Sequence, residues 1–457
     1  MKKYYAWMGI AAIVVFTSTI SEAAEKPKLF SVAVQDIPNE KVPLVKPWKT
    51  IILDKEYRGA WVVAGDLTGD GNVEIVAARA SKSPDHYVTA VVAHKLDGSV
   101  LWRWGDPKRG INYLGYDVAC QIYDWDGDGK NEVVLSTRQN EKTWLVELDG
   151  ATGAEKRRFE IPNHSADCIT FCNLTGNARP TDVLVKTRYT QIWAYNRDGK
   201  QLWSSKNPAG CQTAHQVRPM DVDGDGRDEL VVGYAMLNAD GTSRWDLHNA
   251  RNMGGHLDCA RLMRGGKTPE ERRIIFTFCG GNRIASVDDT GKMIWSIAGA
   301  GLHYESVDIG NVCPGESGKQ IVVDIPYAGW GKCPIQVISE QGEVLGQIFC
   351  TYNRFHRLVE WTGDDYQEII VGQDRCMFDG KGRKIALFDM PLPPGERPPS
   401  STRESIICAV GDMTGNGVID IIYYTVPGTV VYIYKNTNGK KSEDKVPLGT
   451  EMNFTLY

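Results

Sequence analysis

Residues 214–245 read AHQVRPMDVDGDGRDELVVGYAMLNADGTSRW, and this stretch decides the fold. His215–Met220 has the make-up of a short strand. Glu229-Leu-Val-Val opens a second, and Asn238-Ala-Asp-Gly turns into a third that ends at Trp245. Between the first two lies an acidic loop of Asp221, Asp223, Asp225 and Glu229. Its carboxylates fall at positions 1, 3, 5 and 9, and Gly224 and Gly226 let the backbone fold round a cation. Strand-type runs flank the loop where an EF-hand would have helices, and the fourth acid comes too early for one. The stretch predicts a β-repeat and a calcium site together.

The second strand recurs along the chain as a polar marker followed by an apolar run. It appears at Glu74, Glu132, Asp182, Glu229, Arg273, Gln320, Glu368 and Asp420, 44 to 58 residues apart. Turn glycines at Gly98, Gly153, Gly199, Gly241, Gly291, Gly342, Gly382 and Gly439 repeat in step, three of them as Asp-Gly. Trp102, Trp203, Trp245 and Trp295 follow four of these turns. Units of this size hold four short strands, and no amphipathic helix separates them. The expected fold is all-β: an eight-bladed β-propeller with calcium-loop repeats of FG-GAP/VCBS type, seven blades being the alternative if the Arg273 or Gln320 unit is an insertion. Residues 48–457 form this propeller in the sequence reading. Residues 24–47 form an extended leader with four prolines and no strand pattern. Trp48–Leu53 and the terminal run Glu451–Tyr457 complete one blade from both ends.

Two acidic loops are complete, Asp124-Asp126-Asp128-Glu132 and Asp221-Asp223-Asp225-Glu229. Asp66-Asp70-Glu74 and Asp412-Asn416-Asp420 are thinned. These are read as structural calcium sites, each worth about 1 kcal/mol at millimolar calcium.

Residues 1–23 have the form of a signal peptide: Lys2 and Lys3, an apolar stretch from Met8 to Phe16, and Ser21-Glu22-Ala23 as cleavage site. Its loss takes the net charge from −5 to about −6, which argues against nucleic acid as partner. No later stretch is long enough to span a membrane. A secreted or periplasmic monomer is expected. Several of the eleven cysteines (Cys120, Cys168, Cys259, Cys408) sit inside apolar runs and the set reads as buried thiols, with room for one or two disulfides such as Cys313–Cys333.

Five of the eight histidines share one phase of the repeat: His164, His215, His256, His303 and His356 each stand at the entry to an innermost strand. Four to seven residues past the markers stand Arg79, Arg138, Arg188, Tyr234, Tyr327, Arg375 and Tyr424. Antiparallel pairing brings both sets to one rim, opposite the acidic loops. Arginine and histidine at a concave mouth suit an anionic ligand, and aromatics suit a sugar ring, so an anionic polysaccharide built on uronic acid is the expected partner. Cleaving one by β-elimination requires a neutralised carboxylate, a base for the C5 proton and an acid for the leaving oxygen.

Ala214-His215 through Glu229, followed by Gly255-His256-Leu-Asp258, resembles the propeller polysaccharide lyases, above all family 11 rhamnogalacturonan lyases, with ulvan lyases as neighbours. The resemblance covers mainly residues 115–260. It implies a calcium-dependent propeller that cleaves a rhamnogalacturonan-like polymer, and it singles out His215, His256 and Asp258. Position on the rim adds Arg218 and Tyr304 as catalytic candidates. It also adds His164, His303, His356, Arg138, Arg188 and Arg375 as substrate contacts. Two other readings stand beside it: a non-catalytic, calcium-stabilised glycan- or protein-binding propeller, and a rim where the histidines hold a transition metal.

Overall fold

The computed structural model describes residues 30–457 except 83–85, 112–116, 248–252, 327–332, 352–354, 400–404, 442–447, 451–452 and 455–457. Residues 1–23, Tyr327 and most of the terminal run Glu451–Tyr457 lie outside the described residues. The architecture is all-β. Among the described residues, helical structure is limited to single 3-10 turns such as Pro107–Arg109, and no helix is long and apolar enough to cross a membrane.

Each of the eight markers opens the second strand of an antiparallel four-strand unit, counted here one to eight. In unit four, Thr213–Met220 pairs with Glu229–Gly233, followed by Ala235–Leu237 and Ser243–Asp246. In unit five the order is His256–Arg264, Arg273–Cys279, Arg283–Val287 and Met293–Ala298. Unit eight takes its fourth strand from the other end of the chain, Lys49–Ile52 pairing with Val430–Tyr434, as the sequence predicts for that stretch.

The markers are polar for a local reason. Glu229 is buried, and its carboxylate accepts the Val222 N–H at 3.2 Å, closing the loop that precedes it. Glu74, Glu132, Glu368 and Asp420 do the same for Leu67, Trp125, Trp361 and Met413 at 2.7 to 3.0 Å. Gln320 does it with an amide oxygen, accepting from Val312 and Cys313 at 2.8 Å each. An otherwise orphaned buried N–H costs about 1–3 kcal/mol, so the marker satisfies the loop whether or not a metal is present.

Neighbouring units are stapled through the tryptophans. Trp102, Trp203 and Trp295 donate their indole N–H to Gly150, Ala239 and Glu340 of the next unit's turn, at 2.7 to 2.9 Å. The indole lies flat on the turn glycine. A Cβ at Gly241 would come within 2.6 Å of Trp203, and Gly241 has a φ of +82°. Glycine therefore meets two demands there, left-handed backbone and room for the ring. Between sheets the faces interdigitate, as where Met236 and Trp245 of unit four meet Phe276 and Phe278 of unit five. Burial on both faces explains why strands such as Glu229–Gly233 and Gln320–Asp324 carry continuous apolar runs, Leu-Val-Val and Ile-Val-Val, instead of alternating. The opening strands pack in succession, unit three on four, four on five, and so on to eight.

Three expectations need correction. The eight units do not give eight separate sheets. Units one and two share an eight-stranded sheet, joined where Val88 bridges Thr137 and the Thr137 hydroxyl donates to the Val88 carbonyl at 2.7 Å, which leaves seven sheets among the described residues. The leader does contain strands. Phe30–Ala33 adds in parallel to Val344–Cys350 of unit six, and Leu44–Val45 adds to Lys384–Phe388 of unit seven. Phe30 there covers Gly382 as the tryptophans cover their glycines, and buried Lys384 holds the segment through the Val34 and Ile37 carbonyls at 2.9 Å. Such short parallel additions draw on backbone groups at a sheet edge and leave no periodicity to read. Finally, Cys313 and Cys333 are not bonded. All eleven cysteines are free thiols, ten of them buried and Cys279 half-buried.

Candidate active site

The histidine phase of the repeat collects at one end of units four, five and six. His215 enters the opening strand of unit four where the pairing register breaks. Thr213 faces Gly233 and Arg218 faces Val231, so the residues between them bulge out of the ladder. Unit five has a second irregularity between Leu257 and Ala260, which takes Asp258 out of simple alternation. Bulges of this kind re-aim side chains at a sheet edge. Tyr234 fixes the entry of unit five by hydroxyl contacts to the Gly254 and His256 carbonyls at 2.8 and 2.9 Å.

The result is a convergence on one carboxylate. Asp258 is 1% exposed and has His215 Nε2 and His256 Nε2 at 3.2 and 3.3 Å from Oδ1, and His303 Nε2 at 3.5 Å from Oδ2. The His215 and His256 Nε2 atoms face each other at 2.9 Å, so in the absence of a cation only one of them carries the proton between them. His303 Nε2 also lies 3.1 Å from Glu305 Oε1 and 3.4 Å from Cys279 Sγ. Tyr189 packs its ring against both imidazoles, with centroids 4.4 Å from His256 and 5.5 Å from His215. The Arg188 guanidinium lies 4.9 Å over that ring and is steered by Asp167 at 3.3 Å. Asp167 in turn bonds buried Lys186 at 2.7 Å.

Electrostatics divide the three imidazoles. Burial pushes His215 down to about 4 against the pull of Asp258, so it is neutral. Burial acts the same way on His256 and His303, but contacts with Asp258 and Cys279 overcome it, pushing them up to about 9 and about 12. Burial would raise Asp258, and the three imidazoles hold it far below the usual carboxylate range. The Cys279 thiol, which burial alone would raise, is drawn below its ordinary value by His256 and His303. The two protonated imidazoles thus face the carboxylates of Asp258 and Glu305 and the Cys279 sulfur, positive charge that a single divalent cation would also supply. The donors suit one: His215, His256 and Asp258, and likewise Asp258, Cys279 and His303, each offer ligand atoms within 4.8 Å of one another. Imidazole with thiolate is a soft, zinc-type donor set.

The other rim candidates disperse. Tyr304 is fully buried with its hydroxyl 3.2 Å from Gln336, so its place in the core excludes contact with a substrate. His356 is equally buried and bonds the Val322 carbonyl at 3.1 Å, a structural role. Arg218 stands three residues beyond His215 and lines a cavity in the opposite half of the opening strands. His164 and Arg375 occupy exposed positions with left-handed backbone, and Arg138 bonds Glu141 at 2.8 Å. Cys279 and Tyr189 are members of the cluster that no sequence signal singled out. Cys279 was within reach: it lies six residues past its marker, Arg273, in the phase of Arg138 and Arg188, and it faces His256 in register. A cysteine closing the run Ile-Ile-Phe-Thr-Phe reads as core.

At the other end, the first acid of each loop ties the turn, Asp221 accepting from Gly224 and Gly226 at 2.7 and 3.1 Å. Both complete loops also meet an internal cation. Lys156 Nζ lies 2.5 Å from Asp126 and 2.8 Å from Glu132, and Arg244 lies 3.1 Å from Asp223. Asp221, Asp223 and Asp225 remain exposed and close enough to share an ion.

The family model for the C-terminal domain of rhamnogalacturonan lyase family 11 matches residues 178–450, which include the whole histidine cluster. The chain belongs to rhamnogalacturonan lyase family 11. Two curated family relatives come from Bacillus subtilis (strain 168). Rhamnogalacturonan endolyase YesW is 28% identical over 416 residues, covering 76% of this chain and 64% of its own length. Rhamnogalacturonan exolyase YesX is 27% identical over 400 residues, covering 72% and 63%. The chain therefore spans a little under two thirds of the length of the curated relatives it matches. The crystal structure of YesW superimposes with a TM-score of 0.61 at 21% identity, covering 88% of this chain and 77% of that one. The family 11 lyase of Bacillus licheniformis gives 0.60 at 21% identity, with 90% and 78% covered. At that identity the likeness concerns the fold.

Proposed function

We propose that this protein is a polysaccharide lyase that cleaves rhamnogalacturonan by β-elimination at the cluster of His215, His256, Asp258, Cys279 and His303. The observation that carries the reading is the convergence of three imidazoles on one buried carboxylate, inside the segment that matches the family. The Nε2 atoms of all three turn inward to Asp258, which favours holding a cation over removing a substrate proton. A divalent metal held by His215, His256 and Asp258, with Cys279 and His303 as further donors, would supply positive charge against a uronate carboxylate and favour the phenolate of Tyr189. Arg188 stands ready as the second positive charge on that carboxylate. Tyr189 is the protein group placed to exchange protons: its oxygen takes the C5 proton, the C5–H pair becomes the C4=C5 double bond, and the C4–O bond breaks. The departing oxygen then receives the proton. Burial pushes the resting phenol up to about 12, so without that positive charge it is a poor base.

The same proposal includes calcium at the loop end, in the exposed trio Asp221, Asp223 and Asp225. The loop of Asp124, Asp126, Asp128 and Glu132 and the thinned loop of Asp66, Asp70 and Glu74 have weaker claims. Lys156 already neutralises the former. Calcium should add stability of the order of 1 kcal/mol, read as a small rise in melting temperature that Asp223→Ala removes. A melting temperature indifferent to chelator would leave the loops as metal-free turns. Successive packing of the opening strands and closure of unit eight by Lys49–Ile52 support a ring of eight units, an eight-bladed propeller in which units one and two share a sheet. Export after removal of residues 1–23 would bring the protein to its polymer.

The deciding experiment follows near-ultraviolet absorbance of unsaturated uronate ends over a panel of pectic and algal polysaccharides. Rhamnogalacturonan should give the signal. Retention of the polymer without such ends would turn the reading to a binding module.

A further inference from the structure

Five large hydrophobic side chains are exposed among the described residues, and four of them share one place. Leu44, Trp48, Ile52 and Leu392 are each 41% to 56% open to solvent. Leu44 stands on the strand that edges unit seven, Trp48 and Ile52 bracket the strand that edges unit eight, and Leu392 lies on the connector between the two units. The units are tied beneath them. The Tyr434 hydroxyl donates to the Asp389 carbonyl at 2.6 Å and the Tyr432 hydroxyl to the Pro391 carbonyl at 3.1 Å, while the Asp389 N–H donates to Val45 at 2.9 Å. The four side chains thus belong to one continuous outer wall. Alternation turns Ile51 and Leu53 inward, both fully buried, and leaves Trp48, Thr50 and Ile52 outward. The Trp48 N–H donates to the Ile433 carbonyl at 2.7 Å, which fixes the head of that strand.

The wall is also basic. Lys49 and Lys435 hold their ammonium groups 5.2 and 5.9 Å from the centre of the Trp48 ring, and neither forms an ion pair with a described residue. With Lys46 they set three positive charges against Asp389, in a chain whose net charge is −5. Exposed apolar groups gathered into a patch mark a binding surface. A protein partner fits this one poorly, because lysine is depleted from the cores of protein interfaces and here it frames the aromatic ring. A sugar ring fits well. Its C–H face packs on the indole, and a carboxylate on that ring meets the ammonium groups beside it.

We propose that this wall, centred on Trp48 with Lys49 and Lys435, is a secondary binding site for a uronate-bearing polysaccharide, on other units than the histidine cluster. Trp48 to Ile52 extends about 13 Å along the strand, so the site follows a stretch of chain and does not enclose an end. A polymer long enough to reach both sites is concentrated at the cluster by its hold on the wall. The choice of polymer rests on the lyase reading, whereas the site itself does not.

Native electrophoresis of the full chain through gels containing rhamnogalacturonan, or a neutral glucan of similar length, measures the apparent affinity. Retardation is expected in the acidic polymer alone. Trp48→Ala should weaken it at least about tenfold, as the loss of one of two linked sites does. Lys49→Gln combined with Lys435→Gln should weaken it about three- to tenfold and flatten its salt dependence, which keeps the test open if Trp48→Ala does not fold. Initial rates on an oligosaccharide too short to reach from the wall to the cluster should be the same in Trp48→Ala and the parent. Equal retardation of the parent and both variants overturns the proposal, and so does equal retardation by the neutral glucan. A dimer that becomes a monomer in Trp48→Ala on sedimentation also overturns it, giving the wall to a second copy of the chain. Retardation that depends on Trp48 without any unsaturated ends strikes the lyase reading and upholds the wall as a site.

Discussion

His256→Ala should lower turnover on rhamnogalacturonan by about two to four orders of magnitude, the range seen when a group acting on the reacting proton, or a ligand that sets up the site, is lost. The size follows from position. His256 touches three other members: Nε2 of His215 at 2.9 Å, Oδ1 of Asp258 at 3.3 Å and the ring of Tyr189, more closely than His215 does, at 4.4 Å. Removing it uncovers a carboxylate buried without solvent and frees the tyrosine ring that packs on it. Initial rates of unsaturated-end formation measure the loss. The acidic loops lie at the other end of the units, so calcium-dependent melting should be the same in the variant and the parent. Tyr189→Phe keeps the ring packing and removes only the hydroxyl; a fall in kcat with the metal still bound would set proton transfer apart from cluster assembly. Full activity in His256→Ala would remove the cluster from the mechanism.

The second large effect concerns the metal. The protein should retain one divalent transition metal per chain after dialysis, with zinc the best match to imidazole and thiolate, and His256→Ala should lose it. At a hundredfold excess over Kd the ion would add about 2.7 kcal/mol of stability, visible as a chelator-sensitive melting temperature. The pH dependence has a definite sign. Metal-free His256 and His303 are pushed up to about 9 and about 12, so protons must leave before the ion enters. Affinity should therefore strengthen as pH rises towards 9 and weaken on the acid side, with proton release measurable by titration in buffers of different ionisation enthalpy. Protein that holds no metal at neutral pH, or holds as much in the variant, would leave the two protonated imidazoles as the charge against Asp258.

What the sequence by itself determined is what each unit settles locally. Markers such as Glu229 and Asp420 recur because their loops need an acceptor for a buried N–H, and turn glycines such as Gly241 recur because the turn bends through left-handed backbone, at Gly153, Gly241, Gly291 and Gly342 beside an indole. Both signals sit within about fifty residues, so their spacing states the strand order, the loop end and the histidine end without any tertiary knowledge. Registers and phases follow from the period of two along a strand. His215 and His256 were legible on that basis, and Asp258 through the family resemblance of Gly255-His256-Leu-Asp258.

Only the tertiary structure decided which members of a phase meet. His303 reaches Asp258 from the next unit while His356, in the same phase, turns into the core onto the Val322 carbonyl. The bulges at His215 and Asp258 break the alternation that a sequence reading must assume, and they carry Arg218 away from the histidines into a layer of its own. Cys279 and Tyr189 have no polar signature along the chain; they gain their role from partners 23 and 67 residues away, His256 and His256 again, through strand pairing and ring packing. Lys156 in an acidic loop, Phe30 over Gly382 and the shared sheet of units one and two are likewise contacts between units. The physical reason is the same in each case. Periodicity encodes the direction a side chain takes from its own strand, whereas a site is made where several strands end together, and that depends on how neighbouring sheets twist and pack.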